Sequence, residues 1–562
     1  MKTLFLLAAI LLPSLTAAPL HLAFFHEADG KPLTLDSLRH INAAGETYSL
    51  SRLDWLATEI SLTTADGVHH PFTDAVAFVS GKGGSVTLGE APTGQITSLT
   101  FHIGPNEKTN HSDPAIHPPR HPLNPNVNRL HWDWQGGYIF LAAEGLWRKA
   151  GAGNDALGGF AYHFARDPNR TRVTLPLDFQ ARQESTVIVA LDVKNLLDKL
   201  AFATDGATTH SIEGDPVVGK LKTGLAIAFR VVNIETTAQP APTIKPKPID
   251  LPAQPQGYPL TLPRHVPLPS LPLDNPLLMQ RVTLGERLFH ETKLSRTNAI
   301  SCASCHQGKE LSDPRRFSPG VDGKHGTRHA MPLFNLAWKS SFFWDGRAPS
   351  LREQALMPIV DPLEMNETLD NVVVKLTADP AYPPLFRAAF GSGTITPQHI
   401  GLALENFLLT RVSFDSKFDR AFAGKETLTA QEKRGFELFF TESEPRMGRR
   451  GADCFHCHGG ANFTDHSFHN NGLATSTDLG LEAFTGRPTD RYKFSTPSLR
   501  NISRTAPYMH DGRFATLEEV IEHYNAPPRP SATLDPNLAK HPQGLGLNEE
   551  EKAALIAFLK SL

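Results

Sequence analysis

Cys302-Ala303-Ser304-Cys305-His306 and Cys454-Phe455-His456-Cys457-His458 are two copies of one pattern, and between them they hold all four cysteines of the chain. C-x-x-C-H is the attachment signature of c-type haem. Two thiols add across the porphyrin vinyl groups, and the adjacent imidazole becomes the proximal iron ligand. One match admits a thiol pair beside a chance histidine; two matches that leave no cysteine for a disulfide make coincidence remote. The sequence predicts two covalently bound haem c groups, one on Cys302, Cys305 and His306, the other on Cys454, Cys457 and His458.

Working outward, the two motifs sit in a tandem repeat. Gly285-Glu286-Arg287-Leu288-Phe289 precedes the first and Gly435-Phe436-Glu437-Leu438-Phe439 the second. Downstream, Trp344-Asp345-Gly346-Arg347-Ala348-Pro349-Ser350-Leu351 answers to His510-Asp511-Gly512-Arg513-Phe514-Ala515-Thr516-Leu517. Two such registers predict two related, mostly helical domains, residues 273–424 and 425–562. Where the copies differ, the irons differ. The same count beyond Trp344 and His510 reaches Pro358 in the first copy and Tyr524 in the second. Proline offers iron no side-chain donor, whereas tyrosine can close it as a phenolate, which favours high oxidation states. The first iron is expected to keep an open face opposite His306, and the second to be closed by His458 and Tyr524. Met509 as the sixth ligand, with Tyr524 only packing beside His523, is the alternative.

At 562 residues the chain is too long for one core. Its 40% hydrophobic and 20% charged residues are those of an ordinary globular protein, and a net charge of -3 leaves no basic stripe for nucleic acid. Met1-Lys2, the apolar run from Leu4 to Leu12 and the small residues before Pro19 read as a signal peptide over residues 1–18, which predicts a periplasmic protein without a membrane span. Residues 19–235 carry short β-branched runs, Ser98 to Ile103, Arg172 to Phe179, Ser185 to Val193 and Gly224 to Ile234, parted by turn residues. They predict an all-β antiparallel sandwich. Residues 236–272 are proline-rich and read as a linker or strap.

From about Leu271 to Leu562 the chain resembles the bacterial di-haem cytochrome c peroxidases and their MauG branch. Phe343-Trp344-Asp345-Gly346-Arg347, Gln354, Glu364-Met365 and Pro507-Tyr508-Met509-His510-Asp511-Gly512 carry the resemblance. Tyrosine at 524, where the peroxidase branch has methionine, is similar to MauG and the related MbnH enzymes, which oxidise tryptophan on a partner protein. The resemblance implies that Glu364 and Gln354 line the distal side of the first haem, with Glu364 as the acid–base for O–O cleavage, and that Trp344 carries charge between the haems. It also implies calcium between the haem domains on the backbone carbonyls of Thr505 and Pro507, although His329 stands where the peroxidases have an asparagine ligand.

Residues His21 to Glu235 resemble the MbnP copper-protein family through Phe24-Phe25-His26, Asn42-Ala43-Ala44-Gly45 and Trp132-Asp133-Trp134 with Gly137-Tyr138-Ile139-Phe140. In that family a partner di-haem enzyme converts a tryptophan to kynurenine beside a copper site. The resemblance makes Trp132 and Trp134 the candidate targets, core packing being the other reading of both. His26 and His163 are the leading copper ligands, with His131 and His102 next. His111, His117 and His121 among prolines read as a solvated loop. The expected function is a peroxide-driven oxidase that modifies tryptophan on its own or a neighbouring N-terminal domain and yields a copper site. Two alternatives stay open: a peroxidase reduced by a small redox protein, and a non-enzymatic electron-transfer or copper-binding protein.

Overall fold

The computed structural model describes residues 18–132, 136–153, 156–236, 250–473 and 477–562. The leader (apart from Ala18), Trp134 and the first part of the proline-rich segment lie outside the described residues.

The N-terminal part is built from two sheets closing on one apolar core around Trp55, Phe101, Phe140 and Phe164. The larger sheet runs Thr171–Phe179, Ile96–Ile103, Arg52–Thr64, Ile139–Arg148, Gly158–Ala165 and Thr208–Thr209. The smaller one centres on Pro19–Ala28 and Ser185–Asp192. Alternating burial along Thr171–Phe179 is the period-two signature of a strand with one face on the core. Three features depart from a purely antiparallel β fold, the first being that Gly158–Ala165 pairs with Thr208–Thr209 in parallel. Pro19–Ala28 pairs with Ser185–Asp192 in parallel, and the run from Gly224 begins inside a helix, Pro216–Ala228, becoming strand only at Phe229–Thr236. Asp215 caps that helix and Pro216 occupies its first position, while Val217, Leu221, Leu225 and Ala228 bury one face at helical spacing. Those capping and spacing signals outweigh the β-branched tail.

The C-terminal half contains the repeat in three dimensions. Helix Met279–Phe289 crosses Pro397–Leu409, and helix Ala430–Phe439 crosses Glu549–Leu559. Each crossing is made at the repeat's glycine. A Cβ on Gly285 would stand 2.0 Å from the Ala403 carbonyl oxygen, and one on Gly435 would stand 2.0 Å from that of Ala554. Only glycine lets the backbones meet so closely. Residues 250–272 lie along the first copy as a strap, where Pro267 accepts the Trp338 indole N–H at 2.8 Å.

The β-rich part docks on the second copy. Helix Pro536–Ala539 seats on strands Ile139–Arg148 and Gly158–Ala165. Leu146 and Leu157 meet Leu534, Leu538 and Ala539 there, and a Cβ on Gly159 would be 1.8 Å from the Pro536 carbonyl oxygen. Asn537 Nδ2 donates to Glu144 Oε2 at 3.1 Å, Lys493 pairs with Asp36 at 3.2 Å, and Arg446 with Asp215 at 3.3 Å. The expected modification target and the expected enzyme are thus packed together in one chain.

Candidate functional site

In the first copy, Ser350 caps helix Leu351–Val360, and Pro358 stands in its last turns, seven residues after Leu351. Around it lies a cavity of about 230 Å³ lined by Cys302, Cys305, His306, Trp344, Gln354, Pro358 and Glu364. His306 points Nδ1 at the Leu311 carbonyl oxygen, 3.1 Å away, which sets the tautomer and leaves Nε2 as the free donor. Burial pushes this imidazole down to about 4, so it is neutral and ready to ligate. Glu364 is exposed overall and is also one of the residues that line the cavity. Removal from bulk water and the nearby Asp361 carboxylate push its carboxyl up to about 7, with Arg347 pulling the other way. A carboxyl that gains and loses a proton near neutrality is suited to general acid–base work.

The second copy repeats the proximal geometry. His458 Nδ1 faces the Phe463 carbonyl oxygen at 3.1 Å, and burial brings this imidazole to about 4 as well. Thr516 caps helix Leu517–Asn525, and Tyr524 falls seven residues after Leu517, the place Pro358 holds in the first copy. Asn471 Nδ2 reaches both Tyr524 Oη, at 3.3 Å, and Met509 Sδ, at 3.6 Å. The two expected sixth ligands therefore sit side by side. Burial raises the Tyr524 phenol to about 12, so only a bound cation would make it a phenolate at neutral pH. Both copies fit haem c: each has a single-turn Cys-x-x-Cys and an adjacent neutral imidazole with one nitrogen held by a backbone carbonyl, and the first has a cavity lined by both cysteines and the histidine.

Trp344 is buried at the seam between the copies, where its indole donates to the His329 carbonyl at 2.9 Å and its own carbonyl accepts from Ser495 N–H at 2.8 Å. Thr505 is buried beside the cis Ala506–Pro507 bond. His329 places Nδ1 3.3 Å from the Arg316 carbonyl. An imidazole there does not suit calcium, a hard cation that takes oxygen ligands.

In the N-terminal part the expected residues separate. Trp132 is buried and stacks on His210 with ring centroids 5.4 Å apart and planes at 20°. His163 meets Trp132 edge-on at 6.4 Å. His163 Nδ1 and His210 Nε2 are 3.0 Å apart, and His163 Nε2 is 2.9 Å from Glu144 Oε1. His26 is not part of this group. It lies in the other sheet, where its Nε2 accepts from the Trp55 indole at 3.0 Å. His131 packs on Tyr138, His102 faces Glu59 at 3.5 Å, His111 pairs with Asp167, and His117 stacks on His121.

Three residues that the sequence reading passed over complete the cluster: His210, Glu442 and His456. His456 is one of the two variable residues inside the second haem motif. Its ring lies 5.2 Å from His163 and 5.4 Å from His210, and Phe455 lies 5.6 Å from His210. Glu442 Oε2 is 3.1 Å from His210 Nε2 and 3.0 Å from His456 Nε2. Burial alone would raise Glu144 and Glu442, but Arg52 and His163 beside the first, and His210, Lys540 and His456 beside the second, hold both well below the usual carboxylate range. The only sequence signal for this group was a histidine inside a haem motif whose other copy has Ala303 and Ser304.

Comparison with known proteins agrees with this division. A family model described as di-haem cytochrome c peroxidase matches residues 279–427, and one described as MbnP matches residues 17–212. The methylamine utilization protein MauG of Methylorubrum extorquens is 41% identical over 288 residues, 50% of this chain and 78% of that protein. Cytochrome c peroxidase Ccp of Escherichia coli K12 is 33% identical over 294 residues, 50% of this chain and 58% of that protein. A crystal structure of a MauG-like protein associated with microbial copper homeostasis is 35% identical, covers 54% of this chain and 95% of its own, and superposes with a TM-score of 0.48.

Proposed function

The chain belongs, through its C-terminal half, to the di-haem cytochrome c peroxidase family that includes MauG and carries an MbnP domain in front of it, and from that premise we propose that it uses hydrogen peroxide to oxidise Trp132 of its own N-terminal domain. The observation that carries this reading is the ring-to-ring path from Trp132 to His210 to Phe455, steps of 5.4 and 5.6 Å that end inside the second haem motif. Electrons can leave Trp132 along that path without the indole entering a catalytic pocket. Kynurenine is the product class. Two hydrogen peroxide molecules take up the four electrons, two waters supply the oxygens that open the indole ring, and hydrolysis releases the formyl carbon as formate. The new polar groups would form beside His210 and His163, where copper is the expected occupant.

Each protein residue has a defined task. His306 and His458 would each ligate one haem iron, and Pro358 brings no donor atom to the cavity beside His306. Glu364 accepts a proton from hydrogen peroxide and returns it to the oxygen that leaves as water. Haem iron, if held by His306 and His458, would supply the redox chemistry that peroxide cleavage and tryptophan oxidation require. Trp344, buried between the copies, would serve as the relay, and Tyr524 would supply an oxygen donor to the second haem. Docking in cis makes the target an intramolecular reactant; a tether alone gives an effective concentration on the order of millimolar. The leader peptide directs the chain to the periplasm in this reading, and among the described residues no helix is long and apolar enough to cross a membrane.

Peptide mass spectrometry of the haem-loaded chain before and after peroxide tests the proposal. Conversion of Trp132 to kynurenine, absent from Glu364→Gln, is expected. Rapid peroxide loss with Trp132 intact would overturn it in favour of a peroxidase that takes electrons from a separate donor protein.

A further inference from the structure

The cavity of the first copy has two unlike walls. Phe289, Leu336 and Leu404 of the first copy line it with carbon. The wall that the second copy contributes is polar, with Asn462, His466, Thr496 and Ser498. Lys339 belongs to the first copy and also lines the cavity, and its Nζ donates to Ser495 Oγ of the second copy at 2.8 Å.

Lys339 has no counter-ion of its own among the described residues. Arg328 and Arg347 line the same cavity, but Arg328 is bonded to Asp345 and Asp478 at 2.7 Å each, and Arg347 to Asp345 at 3.1 Å. The carboxylate whose charge reaches Lys339 is Asp465, which is taken up by His469 at 2.8 Å and by the Ser467 N–H at 2.9 Å. Removal from water therefore pushes the Lys339 ammonium down to about 8. An ammonium drawn out of water without a carboxylate is costly unless an anion completes it. His466 is close enough for the Lys339 charge to help keep its ring neutral. Its Nδ1 is buried without a hydrogen-bond partner, a cost that native structures seldom leave unanswered. The residue keeps a left-handed backbone (φ 56°), uncommon for a side chain with a Cβ, and its own N–H donates to Thr464 Oγ1 at 3.0 Å.

Haem c has a matching asymmetry. The edge joined to cysteine is apolar, and the opposite edge carries the propionate carboxylates. We propose that Lys339 and His466 bind a propionate of the first haem, the ammonium as its ion-pair partner and Nδ1–H as a hydrogen-bond donor, so that this haem ties the first copy to the second. The two residues come from different copies, so neither copy holds the acidic edge alone. His466 and Asn462 also line the large cavity under the N-terminal domain, and Arg129 of that domain donates to Ser467, the neighbour of His466. The acidic edge of the first haem is thereby turned toward the face on which the N-terminal domain docks.

The test uses the full-length chain with both haems attached and no peroxide. A crystal structure of this wild-type protein is expected to show Lys339 Nζ and His466 Nδ1 each within about 3.2 Å of a propionate oxygen of the first haem. In a spectroelectrochemical titration, Lys339→Gln removes a positive charge that favours the ferrous state. It should shift the one-electron equilibrium of the first haem on the order of tenfold toward ferric, about 59 mV downward. Lys339→Arg should stay close to wild type, and the second haem should move less. Propionates directed away from both nitrogens, or a first-haem potential unchanged in Lys339→Gln, overturn the proposal. The wild-type structure needs no variant, so misfolding of a variant cannot mask the answer. With peroxide absent, the outcome is independent of whether Trp132 is oxidised.

Discussion

Replacing Glu364 by glutamine removes the one titrating carboxyl on the first haem cavity while keeping its size. With its carboxyl at about 7, about a tenth of Glu364 is ionised at pH 6 and about nine tenths at pH 8. The base form accepts the peroxide proton, so the wild-type rate of reaction with peroxide should rise close to tenfold across that interval. Loss of a positioned general base removes about 10²–10⁴-fold in rate, and the acid limb should vanish with it. Stopped-flow mixing of haem-loaded protein with peroxide at stepped pH reads both effects. Stability moves in the opposite sense. Glu364 folds with its carboxyl raised from 4.5 to about 7, so its ionisation opposes folding, without effect below about 4.5 and in full above about 7. Glu364→Gln should therefore gain thermal stability relative to wild type at pH 8 and not at pH 4. A variant that keeps the wild-type rate within a few-fold, or keeps a limb near pH 7, would refute the assignment of Glu364.

Gly159→Ala places a methyl 1.8 Å from the Pro536 carbonyl oxygen, an overpacking expected to cost about 1–3 kcal/mol at the domain seam; limited proteolysis should show the N-terminal domain released more readily and Trp132 conversion should fall. Tyr524→Phe removes the anionic oxygen donor from the second haem, so the reduction potential of that haem should rise in a spectroelectrochemical titration; an unchanged potential would point to Met509 as the ligand.

The haem-bearing half was legible because its information is local and repeated. Two C-x-x-C-H motifs, two glycines ahead of them, and the offset that pairs Pro358 with Tyr524 are all spacings along the chain. The structure places both residues seven positions into helices capped by Ser350 and Thr516. The seam was not legible for the opposite reason. His163, His210, Glu442 and His456 come from four separated segments, and they meet only because the N-terminal domain docks on the second copy, through helix Pro536–Ala539 on the sheet and ion pairs such as Lys493–Asp36 and Arg446–Asp215. His26 illustrates the converse. An inward-facing strand histidine looks the same in sequence whether it awaits a metal or accepts from Trp55. The β-branched strand Phe229–Thr236 drew the expected strand too far upstream, to Gly224, because an N-cap and a buried helical face hold residues up to Ala228 in a helix.

The most direct test of the central claim is the rate and yield of Trp132 conversion per added peroxide, resolved by peptide mass spectrometry over a wide range of protein concentration. Oxidation within the docked chain predicts a conversion rate independent of dilution and a product confined to Trp132. A rate that falls with dilution, or a Trp132 that survives while peroxide is consumed, would contradict it.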